Sequence, residues 1–241
     1  MRAQIVGTVL SGWLVGCQQT VGGADWQPGS PPDLAFRFFA SLSTRDLDTE
    51  ATLELIRPLP IGVDDKRRVL AQLPAVGELR PTDDEAAKLD GLQRILIYHK
   101  RQDVFDIKVI DLPQAVVVLH DRAVLLFSRP ALGLLSPPEL QALVAHEAGH
   151  DYFWPEYIAS RDGEDARARQ ELELRSDAIA VLTLLDLGLD PDPLISALRK
   201  LTLFNERLGT RANHQRYPTM EERARFVRAI IGLHSRLRGR H

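Results

Sequence analysis

His146-Glu147-Ala148-Gly149-His150 lies in the middle of an apolar-periodic segment of the 241-residue chain. On an α-helix, His146 and His150 stand one turn apart on the same face, with about 5 to 6 Å between Cβ atoms, so their imidazoles can converge on one metal ion. Glu147, about 100° further round, lies beside such an ion rather than among its ligands, where a carboxylate can take a proton from water. The residues just upstream are those that start a helix. Ser136 reads as the N-cap, Pro137 and Pro138 as the first helical positions, and Glu139 as the partner of a capping box. Leu140, Leu143, Val144 and Ala148 then recur at helical spacing and form the stripe expected to be buried.

Two histidines from one helix need at least one more protein ligand, and two His with one Glu is a set that leaves a coordination position open for catalysis. The next strongly helical segment, 170–188, supplies candidates. Glu173 and Asp177 share a face. Glu173 can point at the metal while Asp177, one turn later, accepts a hydrogen bond from the ring N–H of a ligating His and fixes its tautomer. An isolated ExxxD is more often a solvated acidic turn, here with Arg167, Arg169 and Arg175 as ion-pair partners. Downstream of an HExxH the metal assignment takes precedence, with Glu171 and Glu164 as substitute ligands.

With these motifs on the page, residues 105–233 resemble the gluzincin metallopeptidases that include HtpX and the CAAX prenyl proteases, metallopeptidase family forty-eight. The resemblance runs through a strand (105–111), a hairpin (114–128), the Leu-rich link 132–136, the HExxH and ExxxD helices, the turn Gly188-Leu189-Asp190-Pro191 and the closing Pro218-Thr219-Met220-Glu221-Glu222-Arg223. It implies an α+β, zincin-like fold with a small antiparallel sheet or hairpin and a mainly helical remainder. It also implies one Zn2+ per chain held by His146, His150 and Glu173, with Glu147 as catalytic base and later proton donor and Asp177 behind the ligands. Two positions depart from the family pattern. Gln114-Ala115 stands where Asn-Ala often precedes the cleft-lining edge strand, and Tyr217 stands where a His often precedes the closing Pro. Tyr217, or His214 near it, is a candidate donor to a developing oxyanion. An extended protein or peptide substrate is expected to add as a strand along the edge beginning at Gln114, Ala115 and Val116.

The N-terminus carries the second signal. Met1-Arg2 precedes an apolar stretch, 5–16, and then Cys17, the single Cys of the chain. Leu14-Val15-Gly16-Cys17 resembles the lipobox of bacterial lipoproteins, which implies a signal peptide over 1–16 and acylation of Cys17. Several acyl chains anchor stably where one does not, so this predicts tethering to the membrane and a site facing the periplasm. An uncleaved N-terminus predicts the cytoplasm instead. Residues 17–32, with paired Gly and Pro, read as a linker, 33–80 as a helical extension and 81–236 as the zinc metallopeptidase domain.

Net charge of −3 and pI near 6.2 disfavour a nucleic-acid partner. No apolar run approaches the ~18 residues of a membrane-spanning helix. Strands that cluster before the metal helices, rather than alternating with them, give an α+β layout. The expected function is zinc-dependent hydrolysis of unfolded or flexible protein in the cell envelope. A catalytically silent chaperone or assembly lipoprotein, and a cytosolic regulatory HExxH peptidase, stay open beside it.

Overall fold

Four strands form one sheet around the hairpin that the aliphatic runs announce. In the computed structural model, which describes residues 30–42, 49–73, 77–161, 165–210 and 217–238, strand β3 (Val117–His120) turns back into β4 (Val124–Ser128) through Asp121 and Arg122. Both turn residues have positive φ, 43° and 60°, as a tight hairpin with right-twisted strands requires. Arg122 is held there by its ion pair with Asp151 and a 2.6 Å bond to the carbonyl of Leu59. Strand β2 (Asp106–Ile110) lies beside β4, and the two-residue β1 (Glu78–Leu79) beside β2, giving the order β1-β2-β4-β3.

The expected antiparallel sheet needs correction. β1 with β2 and β3 with β4 are antiparallel, but β2 and β4 run parallel, with Asp106 opposite Val124 and Ile110 opposite Ser128. The hairpin places its second strand, not its first, against β2. That leaves β3 as an edge.

The helices are α1 (Pro31–Leu42), α2 (Thr49–Ile56), α3 (Val63–Gln72), α4 (Asp83–Asp90), α5 (Gln93–Tyr98), α6 (Arg129–Leu134), α7 (Pro137–Tyr152), α8 (Trp154–Arg161), α9 (Ala166–Asp186), α10 (Pro193–Arg207) and α11 (Met220–Arg238). The fold is therefore mixed α+β, mostly helical around a small sheet. One helix expected across 82–100 divides into α4 and α5. The Gly91 carbonyl accepts from Gln141 Nε2 at 2.8 Å, while Ile95 N turns to Leu92 O at 3.0 Å, so the ladder breaks where a tertiary donor captures a carbonyl.

Helix α7 is buried nearly all round, because β3 covers one side and α9 and α10 cover the others. Its capping box forms as the sequence predicts. Glu139 also accepts from Ser196 at 2.6 Å and Lys200 at 2.8 Å, which ties the start of α7 to α10. Burial would push this carboxyl up, but Lys200, Ser196 and Ser136 outweigh it and hold it at about 2. The link 132–136 is mostly the short helix α6, capped by Ser128. Leu34, Ala35, Phe38, Phe39 and Leu53 of the first two helices share one core with Leu140, Leu143, Ile179, Val181 and Phe226, and α1 packs on α11.

One close approach decides how near α7 and α9 can come. A Cβ on Gly149 would stand 2.8 Å from both the Cα and the carbonyl oxygen of Ser176, a clash against backbone. Glycine inside HExxH thus lets the two helices touch, at the cost in helix propensity that a mid-helix Gly carries. Among the described residues, no helix is long and apolar enough to cross a membrane. The segment 1–16, Cys17, Glu164 and His214 lie outside the described residues.

Candidate metal centre

His146, Glu147 and His150 are 2 to 3% exposed, and their ligand atoms lie within 4.8 Å of one another, a buried group able to hold a metal ion. The two Nε2 atoms face each other at 3.1 Å, as the one-turn spacing requires. Glu173 arrives from α9, with Oε2 3.5 Å from His146 Nε2 and Oε1 3.8 Å from His150 Nε2. Ligand atoms about 2.0–2.2 Å from a tetrahedral ion stand about 3.3–3.6 Å apart. The three separations bracket that range. Glu173 Oε1 is buried and has no hydrogen-bond partner among the described residues, a state that costs about 1–3 kcal/mol or more unless a cation compensates it. Nitrogen and carboxylate donors that converge in this way fit a divalent ion.

Each ring is oriented from behind. His146 Nδ1 lies 2.8 Å from Asp177 Oδ1, and His150 Nδ1 lies 3.1 Å from Ser176 Oγ. Glu173, Ser176 and Asp177 thus all serve the same centre from successive turns of α9, and Asp177 stands where the ExxxD spacing predicts. Glu173 and Asp177 are 1% and 0% exposed, which removes the solvated-turn alternative. Nor do the expected arginines pair with them. Arg175 lies over the Phe153 ring at 3.8 Å and faces Glu156, and Glu171 is exposed. The actual partner is Arg223 of α11, whose Nη1 donates to Asp177 at 2.7 and 3.0 Å and whose Nη2 donates to Glu173 Oε2 at 2.7 Å.

Charge placement separates the roles. Burial would lower the His146 imidazole, but the carboxylates of Asp177 and Glu173 outweigh it and raise it to about 10. Burial lowers His150. Glu173 is held below the usual carboxylate range, because His150, His146 and Arg223 overcome its burial. Glu147 goes the other way. Burial pushes it up to about 7, against the opposing pull of His146 and the Leu119 amide. A carboxyl poised there can both accept and return a proton near neutral pH.

The Leu119 amide donates to Glu147 Oε2 at 2.8 Å, so β3 runs directly beside the acid. Val116 O accepts from Ser128 N, which makes Val118 and His120 face β4 and leaves the backbone of Val117 and Leu119 pointing outward. Gln114, Ala115 and Val116 precede this strand. Ala115 is bracketed by Asn205, which accepts from its N–H at 2.8 Å and donates to its carbonyl at 3.0 Å, and Val116 N donates to Ser128 Oγ at 2.8 Å.

Tyr217 is placed beside Arg169, whose Nη2 lies 3.4 Å from the phenol oxygen. Burial, and Glu173 after it, push this phenol up to about 12, so it keeps its proton. Sequence reasoning did not assign Arg223, Ser176, Arg169 or Tyr157. The Arg223 position was visible as the end of the closing motif, and Ser176 as the neighbour of Asp177 on the same helix. Nothing local marks Tyr157, whose ring lies 5.0 Å from that of His150 across a helix boundary. No family model matches the chain, and no curated protein matches it.

Proposed function

We propose that the chain is a zinc-dependent endopeptidase of gluzincin type, acting on unfolded or flexible protein. The observation that carries it is the convergence of His146 Nε2, His150 Nε2 and the Glu173 carboxylate, whose buried Oε1 has no hydrogen-bond partner among the described residues, with a second buried acid, Glu147, raised toward neutrality beside them. His146, His150 and Glu173 would hold the ion. A zinc ion so bound supplies Lewis acidity toward a carbonyl and makes a water easier to deprotonate.

The chain's own residues supply the rest. Glu147 takes the proton of the attacking water and returns it to the leaving amine, a sequence that its raised pKa suits in both directions. Asp177 and Ser176 hold the two rings with Nε2 forward, and Arg223 keeps Glu173 and Asp177 ionised and fixed. The outward backbone of Val117 and Leu119 binds an extended peptide as an added strand, once the Leu119 N–H exchanges Glu147 for substrate. Tyr217 is retained as a candidate donor to the oxyanion. Through Cys17 we place the protein on the envelope membrane, with acylation as the means.

Metal analysis and casein degradation test this on the parent and on Glu147→Gln. The expected result is one zinc per chain in both, with proteolysis reduced about 10²–10⁴-fold in the variant. Undiminished proteolysis in Glu147→Gln removes the assigned base, and a parent that binds no zinc removes the reading altogether. Mass spectrometry of Cys17 from a membrane fraction tests the anchor. An unmodified, intact N-terminus moves the protein to the cytoplasm.

A further inference from the structure

Arg169 is 2% exposed and has no acidic partner within ion-pair distance among the described residues. Its Nη2 donates to the phenol oxygens of Tyr157 and Tyr217 at 3.3 and 3.4 Å. Both are longer than the ~2.7–2.9 Å of a charge-assisted bond to a carboxylate. Nε and Nη1, which carry three of the five N–H donors of a guanidinium, have no hydrogen-bond partner among the described residues. The guanidinium carbon stands 5.0 Å from the Tyr157 ring centre and 5.7 Å from that of Tyr217. Aromatic faces stabilise a cation, yet they leave its charge uncompensated and its N–H donors unused. A buried charge in that condition is among the most costly arrangements a fold can hold, and it is expected only where a ligand completes it.

Position makes the ligand specific. Arg169 sits on α9 one turn before Glu173, about 5–6 Å away between Cβ atoms. The Tyr157 ring is 5.0 Å from the His150 ring and 5.0 Å from the Arg169 guanidinium carbon, so that carbon lies within about 10 Å of the metal-side imidazole, the span of about three extended residues. Tyr217, half-buried and bonded at 3.4 Å, is the weak partner that an incoming carboxylate displaces.

We propose that Arg169, between Tyr157 and Tyr217, is a substrate-carboxylate subsite: its fork takes a carboxylate lying within about three residues of the bond that is cleaved. This deepens the peptidase reading and rests on it. The carboxylate comes either from the C-terminus of the substrate, making the enzyme trim chain ends, or from a Glu or Asp side chain.

Calorimetry on zinc-loaded Glu147→Gln, which binds without turning over, separates these sources. The probes are N-acetyl-Ala-Ala-Ala as free acid and as C-terminal amide, and N-acetyl-Ala-Glu-Ala amide against N-acetyl-Ala-Gln-Ala amide. One acid is expected to bind about tenfold or more tightly than its neutral twin, as a bond between charged groups provides. Adding Arg169→Gln reduces that preference to within about twofold, and Arg169→Lys, which keeps the charge without the fork, retains part of it. The subsite is overturned if neither acid outbinds its neutral twin, or if the preference survives Arg169→Gln. Should that variant fail to unfold cooperatively, the acid-to-neutral ratios of Glu147→Gln and of Arg169→Lys decide alone. Zinc-loaded wild type that cleaves neither casein nor any of the four peptides overturns the peptidase reading separately, while the binding ratios still report on Arg169.

Discussion

Helices α7 and α9 border two buried histidine clusters, and the clusters differ in what remains unsatisfied. At one, His99 Nδ1 faces the Tyr152 hydroxyl at 3.0 Å and Nε2 faces Thr183 Oγ1 at 3.1 Å. Thr183 donates its own proton to the Ile179 carbonyl at 2.8 Å, so it accepts from His99 Nε2–H, and Tyr152 then donates to Nδ1. Burial, with Arg57 and Arg101 nearby, pushes this imidazole down to about 3, and the ring stays neutral with both nitrogens used. At the other, two Nε2 atoms face each other and a buried carboxylate oxygen has no hydrogen-bond partner among the described residues. Burial and residue type are the same in both. What differs is hydrogen-bond satisfaction, and that separates a structural histidine from a ligand-ready pair.

The comparison breaks most sharply at Glu173. Glu173→Gln is expected to weaken zinc binding more than about 100-fold, beyond the loss seen when supporting partners are removed. Competition with a chromophoric chelator reads this, and unchanged affinity would reduce Glu173 to a packing residue. Asp177→Asn should weaken zinc about 10–100-fold, because the anion behind His146 is lost and Arg223 keeps a single anionic partner. Thr183→Val probes the satisfied cluster. It should cost about 1–3 kcal/mol in denaturant unfolding, through the unanswered His99 Nε2–H, while zinc affinity stays as in the parent.

The smallest effect concerns pH. His99 is neutral when folded and takes up a proton on unfolding below about 6.5, so the unfolded state binds more protons there and stability falls as pH drops from about 6.5 toward 3. One such group contributes a slope of at most about 1.4 kcal/mol per pH unit. Between pH 6 and 4 in the presence of chelator, His99→Gln should unfold with a shallower pH dependence than the parent. Equal slopes would mean that His99 is charged in the folded protein, contrary to its two hydrogen bonds.

Legibility followed the range of each interaction. The capping box at Ser136, the histidine pair and the hairpin at Asp121-Arg122 were all readable, since each depends on residues within a few positions of one another. The break between α4 and α5 was not, because the carbonyl that ends α4 is claimed by Gln141, fifty residues away. The parallel pairing of β2 with β4 was missed for a related reason. Alternating apolar residues mark a strand, and they do not say which neighbour it chooses.

Sequence alone determined that His146 and His150 share a face with Glu147 beside them, and that Glu173 and Asp177 recur one turn apart, since helical periodicity is a property of the single chain segment. Tertiary structure decided that Glu173 and not the exposed Glu171 meets those rings, that Arg223 neutralises both acids, and that Arg169 is left between two phenols. Those outcomes depend on how closely α7 and α9 cross. That distance is set where Gly149 meets the backbone of Ser176, a contact between segments that no local pattern encodes.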